Sequence, residues 1–178
     1  ENGNPALYFD GNSDYYQLSY SQGTLSSFLY TAVFAPINTT TLQGIVDFRD
    51  ANDDGSRLLL TSAGEVFVST NAADATTTYT TGQQLFTGVY DGANLTAYVD
   101  GVGGTSISGV DTNATRNGRI GSDNNSLQFY PTGNMQEVIL YFNQSSNRTG
   151  IESNINTYYD IYGTGNTGVN TPLLDTYS

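Results

Sequence analysis

From Phe86 to Gly101 apolar and polar residues alternate along two short segments joined at Asp91-Gly92, and a second Asp-Gly pair follows at Asp100-Gly101. Leu95, Ala97 and Val99 fall on one face and Thr96, Tyr98 and Asp100 on the other, the period of two expected of a half-buried strand. Asp-Gly between such segments predicts a tight hairpin, because glycine supplies the positive φ that the turn demands. A lone hairpin is not stable in water, so this one implies a larger sheet.

The same pattern runs through most of the chain. Ala6–Asp10 reads as a strand ending at Asp10-Gly11, and Asp14–Tyr20 as its return strand. Leu25–Phe34 is richer in apolar and β-branched residues and stops at Pro36, and reads as a further strand. Thr41–Phe48 and Arg57–Ser62 are predicted to pair, and Glu65–Ser69, Thr76–Thr81, Thr105–Ser108 and Arg119–Gly121 add further short strands. Met135–Phe142 is expected to close the sheet. About a dozen strands with turn signals every eight to twelve residues predict an all-β antiparallel sandwich or barrel. One segment departs from this period. Ile151, Ile155, Tyr158, Tyr159 and Tyr162 recur at three and four, Thr149 and Glu152 spell a capping box, and Gly163 offers a stop, which predicts a single helix over 150–162. The expected organisation is one domain over 1–163, with 164–178 a flexible tail or linker to a further module.

Composition narrows the chemistry. The 178 residues contain no Cys, His, Trp or Lys, and 17 acids face five arginines for a formal charge of -12. Disulfides, thiolate metal sites and every Ser-His, Cys-His or His-metal mechanism are excluded. The negative balance argues against nucleic acid and anionic membranes as partners. No apolar run approaches the roughly 18 residues that span a bilayer. Polarity comes mainly from Thr, Ser, Asn and Gly, with 14 Tyr.

Asp50-x-Asn52-x-Asp54-Gly55 spells the first half of an EF-hand-type calcium loop, although Thr61 stands where the closing Glu belongs. The same letters also make an ordinary acidic turn. Calcium held by Asp50, Asn52 and Asp54 is one expectation, and Asp10-Gly11-Asn12-Ser13-Asp14 is a second, weaker candidate. Glycoside hydrolysis needs two carboxylates flanking one bond. The only glutamates are Glu1, Glu65, Glu137 and Glu152, none with an acid two positions on, so no catalytic residues are assigned and a hydrolase is a minor alternative. Tyr15, Tyr16, Tyr90, Tyr98 and Tyr130 are candidate sugar platforms, each with core packing as its alternative. Asn-x-Ser/Thr occurs at Asn38, Asn94, Asn113, Asn124, Asn143 and Asn147, near chance in so Asn- and Thr-rich a chain.

Several stretches together resemble the LamG-like branch of the concanavalin A-like lectin/glucanase superfamily: 7–15, 96–101, Ile120-Gly121-Ser122, 133–141, and then one C-terminal helix. The resemblance covers roughly residues 6–162 in order. It implies a two-sheet jelly roll of about six strands per sheet with a concave face and rim loops, and members that bind glycans, proteins or calcium. Thr171–Ser178 is similar to junctions in phage and other virion proteins. The resemblance points to a non-catalytic glycan-binding or adhesion module on a virion or cell surface, with other surface subunits as further partners. The alternative is a purely structural virion module, a capsid decoration, fibre or tail domain.

Overall fold

A computed structural model describes residues 3–70, 73–108, 114–124 and 127–163. It contains thirteen strands and a helix: β1 Leu7–Asp10, β2 Tyr16–Gly23, β3 Phe28–Pro36, β4 Gln43–Asp47, β5 Ser56–Leu60, β6 Glu65–Thr70, β7 Asp74–Thr78, β8 Gln84–Tyr90, β9 Asn94–Val99, β10 Val102–Gly103, β11 Ile107–Ser108, β12 Ala114–Ile120, β13 Thr132–Phe142 and α1 Arg148–Tyr159. They form two antiparallel sheets. A seven-stranded sheet runs β1-β13-β3-β8-β9-β10, with β11 also on β9, and a six-stranded sheet runs β2-β12-β4-β5-β6-β7. This is a jelly-roll sandwich with one short C-terminal helix, as expected.

The central strand is β3, whose nine residues are all buried. Its inward residues Phe28, Tyr30, Ala32 and Phe34 meet Phe48, Leu58, Leu60, Val66 and Val68 of the other sheet in one apolar core. Tyr30 joins the layers: its hydroxyl lies 2.7 Å from Ser56 Oγ and 3.2 Å from Gln22 Oε1, so the buried phenol is satisfied. Burial pushes its pKa far up. The outer face of β3 is buried too, because α1 lies over it. Ile155 and Tyr159 pack on Val33 and Leu85, with Ile139 and Ile151 beside them.

The 84–99 hairpin forms as predicted, Phe86 opposite Val99 and Tyr90 opposite Leu95. Asp91 fixes its turn by accepting the amides of Ala93 at 2.9 Å and Asn94 at 2.7 Å. Four expectations need correction. β1 and β2 are not a hairpin; β1 pairs with β13 in one sheet and β2 with β12 in the other. The Asp10-Gly11 turn, tied by Asp10 Oδ1 to Asn12 N at 2.8 Å, swings the chain across the sandwich instead. The strand expected to close the sheet is an inner one, because β13 is long enough at 11 residues to pair with both β1 and β3. The strand expected over 119–121 extends back to Ala114, and a short β10 follows Asp100-Gly101.

The helix is also shifted. It begins after Asn147, so Thr149 lies inside the first turn and cannot cap it, and Glu152 pairs with Arg148 instead. It ends at Asp160 in the left-handed region, before Gly163, because the Asn156 side-chain oxygen accepts the amides of Ile161 at 3.1 Å and Tyr162 at 2.9 Å. The expected tail over 164–178 lies outside the described residues.

Candidate functional site

The outer face of the six-stranded sheet carries the polar residues of its strands. Ladder partners line up across it: Gln17 opposite Arg119, Arg119 opposite Asp47, Asp47 opposite Arg57, Arg57 opposite Ser69, and Ser69 opposite Asp74. Each lies beside an inward-facing residue such as Leu18, Phe48, Leu58, Val68 or Ala75, so alternation points the whole row outward. Arg116 joins this face through a bulge. Between Ala114 and Asn117, β12 takes three steps against two on β2, from Gly23 to Ser21. The extra residue breaks alternation and turns Arg116 and Asn117 to the same side. Gly118, next along, carries the Phe48 ring against its backbone where a Cβ would collide. Four of the five arginines therefore gather on one face of an acidic chain.

At the centre of this face Arg49 is only 4% exposed. Its guanidinium donates to both carboxylate oxygens of Asp47, to Asp123 Oδ2 at 2.7 Å and to Asp53 Oδ1 at 2.5 Å. Burial pushes the Asp47 carboxyl up, against the pull of Arg49. Asn124 holds the neighbouring loop down, its side-chain amide donating to Arg49 O and Asn117 O, both at 2.9 Å. Gly44 allows the backbone of Ser122 and Asp123 to pass directly over β4. The result is a rigid floor with a shallow cleft of about 660 Å³ beside it, lined by Gln17, Thr115, Arg116, Asn117, Arg119, Asn124 and Leu127.

A second cleft of about 510 Å³ lies at the rim, between Thr40-Thr41-Leu42, Gly11, Ser62 and the 127–132 segment. Leu127 borders both clefts. Leu127 and Phe129 hold positive φ of 53° and 58°, a strained conformation for bulky side chains that a defined loop must enforce. The restraints are visible: Gly44 N donates to Phe129 O at 2.6 Å, Asp123 N to Gln128 O at 2.9 Å, and Tyr130 Oη to Leu127 O at 2.9 Å. Neither cleft has a carboxylate among its described lining residues.

The residues singled out in the sequence divide as follows. Asp50 and Asn52 form an Asx turn, Asn52 N donating to Asp50 Oδ1 at 2.8 Å, while Thr115 donates to Asp50 Oδ2 at 3.1 Å. Asp54 closes the same turn through its carbonyl, which accepts the Asp50 amide at 2.9 Å. The Asn52 amide first, and the Thr115 hydroxyl with it, hold the Asp50 carboxyl below the ordinary carboxylate range. The cation already among the surrounding acids is the Arg49 guanidinium, and the described residues contain no cluster of three or more metal-binding side chains. Each Asp50 carboxylate oxygen carries one of these hydrogen bonds and keeps a further lone pair, so the turn as folded still has oxygen ligands to offer a cation. Asp10, Asn12 and Asp14 form an exposed turn of the same kind.

Among the tyrosines, Tyr15 stands beside the larger cleft with Arg119 5.2 Å from its ring centroid, and Tyr130 lines the rim cleft. Tyr16 is half exposed, edge-on to Phe9. Tyr90 packs on Phe28, and the face of Tyr98 is covered by Arg148 at 3.9 Å. Glu137 and Glu152 sit at the helix side of the other sheet, each pushed up by burial, and neither lines the two clefts described above. Asn124 is buried and spent on its hydrogen bonds, which removes it as a glycosylation acceptor in the folded chain. Asn113 lies outside the described residues. The arginine face was missed by sequence reasoning; its only trace was that 49, 57, 116 and 119 all sit on or beside predicted strands.

No protein family and no curated protein matches the sequence itself. Solved structures share the fold. The carbohydrate-binding module CBM40 of the Ruminococcus gnavus IT-sialidase, solved bound to alpha2,3 sialyllactose, superposes with a TM-score of 0.64 at 10% identity over 83% of this chain and 95% of that one. Domains LG4-5 of the mouse laminin alpha1 chain give 0.59 at 18% identity, covering 79% and 43%. A heptameric SAP-like pentraxin from Limulus polyphemus gives 0.57 at 11%, covering 79% and 76%. These likenesses place the chain in the jelly-roll architecture that carbohydrate-binding modules, LG domains and pentraxins share. Among the described residues no helix is long and apolar enough to cross a membrane.

Proposed function

We propose that this chain is a non-catalytic glycan-binding module, displayed on a virion or cell surface, that holds its ligand on the outer face of the six-stranded sheet. The observation that carries the reading is the open cleft beside a rigid floor, with Asn117, Arg116 and Arg119 presenting side-chain donors and Tyr15 an aromatic ring beside it. Sugars are bound by such groups, hydroxyls by planar amides and guanidinia and ring faces by aromatics. The absence of carboxylates from the described lining of both clefts favours binding over hydrolysis, which needs a pair of them. The fold shared with a sialidase's carbohydrate-binding module supports the same reading.

A carbohydrate array probed with the folded domain tests it. Binding that Asn117→Ala weakens about tenfold, with melting temperature unchanged, is the expected result. A folded domain silent on every glycan overturns the reading. Calcium at Asp50, Asn52 and Asp54 is a separate part of the proposal, tested by adding calcium to the same domain. A rise in melting temperature that Asp54→Asn abolishes supports it, and no rise overturns it.

A structural module that docks on other virion subunits is the second reading. It is favoured by the exposed Leu7, Tyr8, Tyr16 and Tyr20 along the edge strands β1 and β2. Self-association or subunit binding lost in Tyr8→Ser/Tyr20→Ser would support it, and a monomer that binds no sister subunit would count against it.

A further inference from the structure

We infer that the cleft beside β2 and β12 receives an acidic sugar, with Arg116 and Arg119 holding its negatively charged oxygens. This rests on the glycan-binding reading and names the ligand class for that same site.

Cations are scarce in this chain, with 17 acids against five arginines and no lysine. In such company every arginine is expected to find a carboxylate. Arg49 and Arg148 do. Arg116 and Arg119 make no ion pair among the described residues. Arg119 donates to neutral oxygens only: Gln17 Oε1 at 2.9 Å and the carbonyls of Asp123 and Asn124, both at 3.2 Å. Arg116 reaches the Asn124 carbonyl at 3.4 Å, a marginal bond.

The fold keeps the nearby acids away from them. Asp47 is the direct ladder partner of Arg119, yet both its oxygens accept from Arg49. Asp123 contributes its backbone carbonyl to Arg119 while its carboxylate is directed at Arg49. Arg49 therefore works as an internal counterion that absorbs the local carboxylates and leaves the cleft arginines uncompensated. Nη2 of Arg119, and Nε and Nη2 of Arg116, have no acceptor among the described residues.

A guanidinium presents its donors in a planar fork that matches a carboxylate or sulfate, and such charge-assisted bonds are about twice as strong as neutral ones. The β12 bulge sets Arg116 beside Asn117 on the cleft side, so charge and amide can address one sugar together. The overall charge of -12 repels an anion at a distance, but beyond about 8 Å that repulsion is screened at physiological salt, whereas contacts inside the cleft are not.

The test uses a carbohydrate array with sialylated, uronate-containing, sulfated and neutral members, read with the parent domain, Arg116→Gln, Arg119→Gln and Arg119→Lys. The strongest carboxylated binder is then compared with its methyl ester by calorimetry. Anionic glycans are expected to lead, and esterification to weaken binding about 10- to 100-fold. Each Gln variant should erase most of the difference between acid and ester, and Arg119→Lys should retain part of it. Carboxylated members alone leading identifies a carboxylate, and sulfated members binding equally well identifies a general oxyanion; both support the inference. Equal affinity for acid and ester, or a preference untouched by both Gln variants, overturns it and leaves a neutral-glycan module standing. Silence across the whole array overturns the underlying glycan reading as well.

Discussion

The two outer faces of the sandwich make opposite use of the same strand alternation. On the seven-stranded sheet the outward residues Val33, Leu85 and Ile139 are apolar, and α1 covers them with Ile151, Ile155 and Tyr159. On the six-stranded sheet the outward row is Gln17, Arg119, Asp47, Arg57, Ser69 and Asp74, and among the described residues no helix covers it. One face is held by displacing water and the other by an ion-pair lattice that remains wet at its margin. Each side has one buried acid-arginine centre. Arg49 is saturated by three carboxylates, whereas Glu152 has a single ion-pair partner among the described residues, Arg148. The covered face is thus the structural one, and the bare face is where the chain has polar groups to offer a ligand.

Three substitutions sharpen this contrast. Arg49→Met should have the largest effect, because it strands Asp47 and Asp123, both buried, without their counterion. Breaking such a pair costs about 3–5 kcal/mol, so thermal melting should show a drop of roughly 6–20 °C for a domain of this size. A drop below about 1 °C would mean that the lattice does not hold the face. Ile155→Ala should come next, at about 2–4 kcal/mol, since a side chain only 6% exposed leaves a cavity between helix and sheet. If the two faces are independent, ligand affinity on the bare face should not change, and urea melts combined with glycan titration check both halves. The smallest effect is pH-dependent. Burial raises the Glu152 carboxyl above its ordinary 4.5, so its contribution to stability is present below that value and lost as pH rises through the folded-state pKa. Glu152→Gln should therefore gain on the parent as pH rises from about 4 to 7, in melting temperatures measured across that window. A difference independent of pH would show that Glu152 does not titrate differently on folding.

Local structure was legible where one segment decides it. The 84–99 hairpin carries its turn and alternation within a single stretch, and β3 stands out as a strand by its apolar and β-branched residues before Pro36, although its burial on both faces was not foreseen. Partners distant in sequence were not legible. That β1 seeks β13 and β2 seeks β12 depends on strands far along the chain, which an Asp-Gly turn beside β1 cannot reveal. Bulges were hidden for a related reason. Ile45 and Val46 both enter the core because β4 gains a residue against β5, which in the sequence is only an interruption of alternation. The cleft was missed because it depends on the β12 bulge and on Arg49 taking the carboxylates that charge counting would have given to Arg119. The Asp50–Gly55 motif was visible as an acidic turn, and Arg49, one residue before it, was the overlooked part.

The placement of β13 between β1 and β3 also bears on how the chain acquires its structure. The most buried strand lacks one of its two neighbours until residues 132–142 have left the ribosome, and β1 has no ladder at all before then. Contacts so distant along the chain close late and slowly, typically over milliseconds to seconds for sandwiches of this kind. During synthesis the apolar edges of β1 and β3 are therefore open to other chains, and escape from aggregation depends on the speed with which the last long strand inserts.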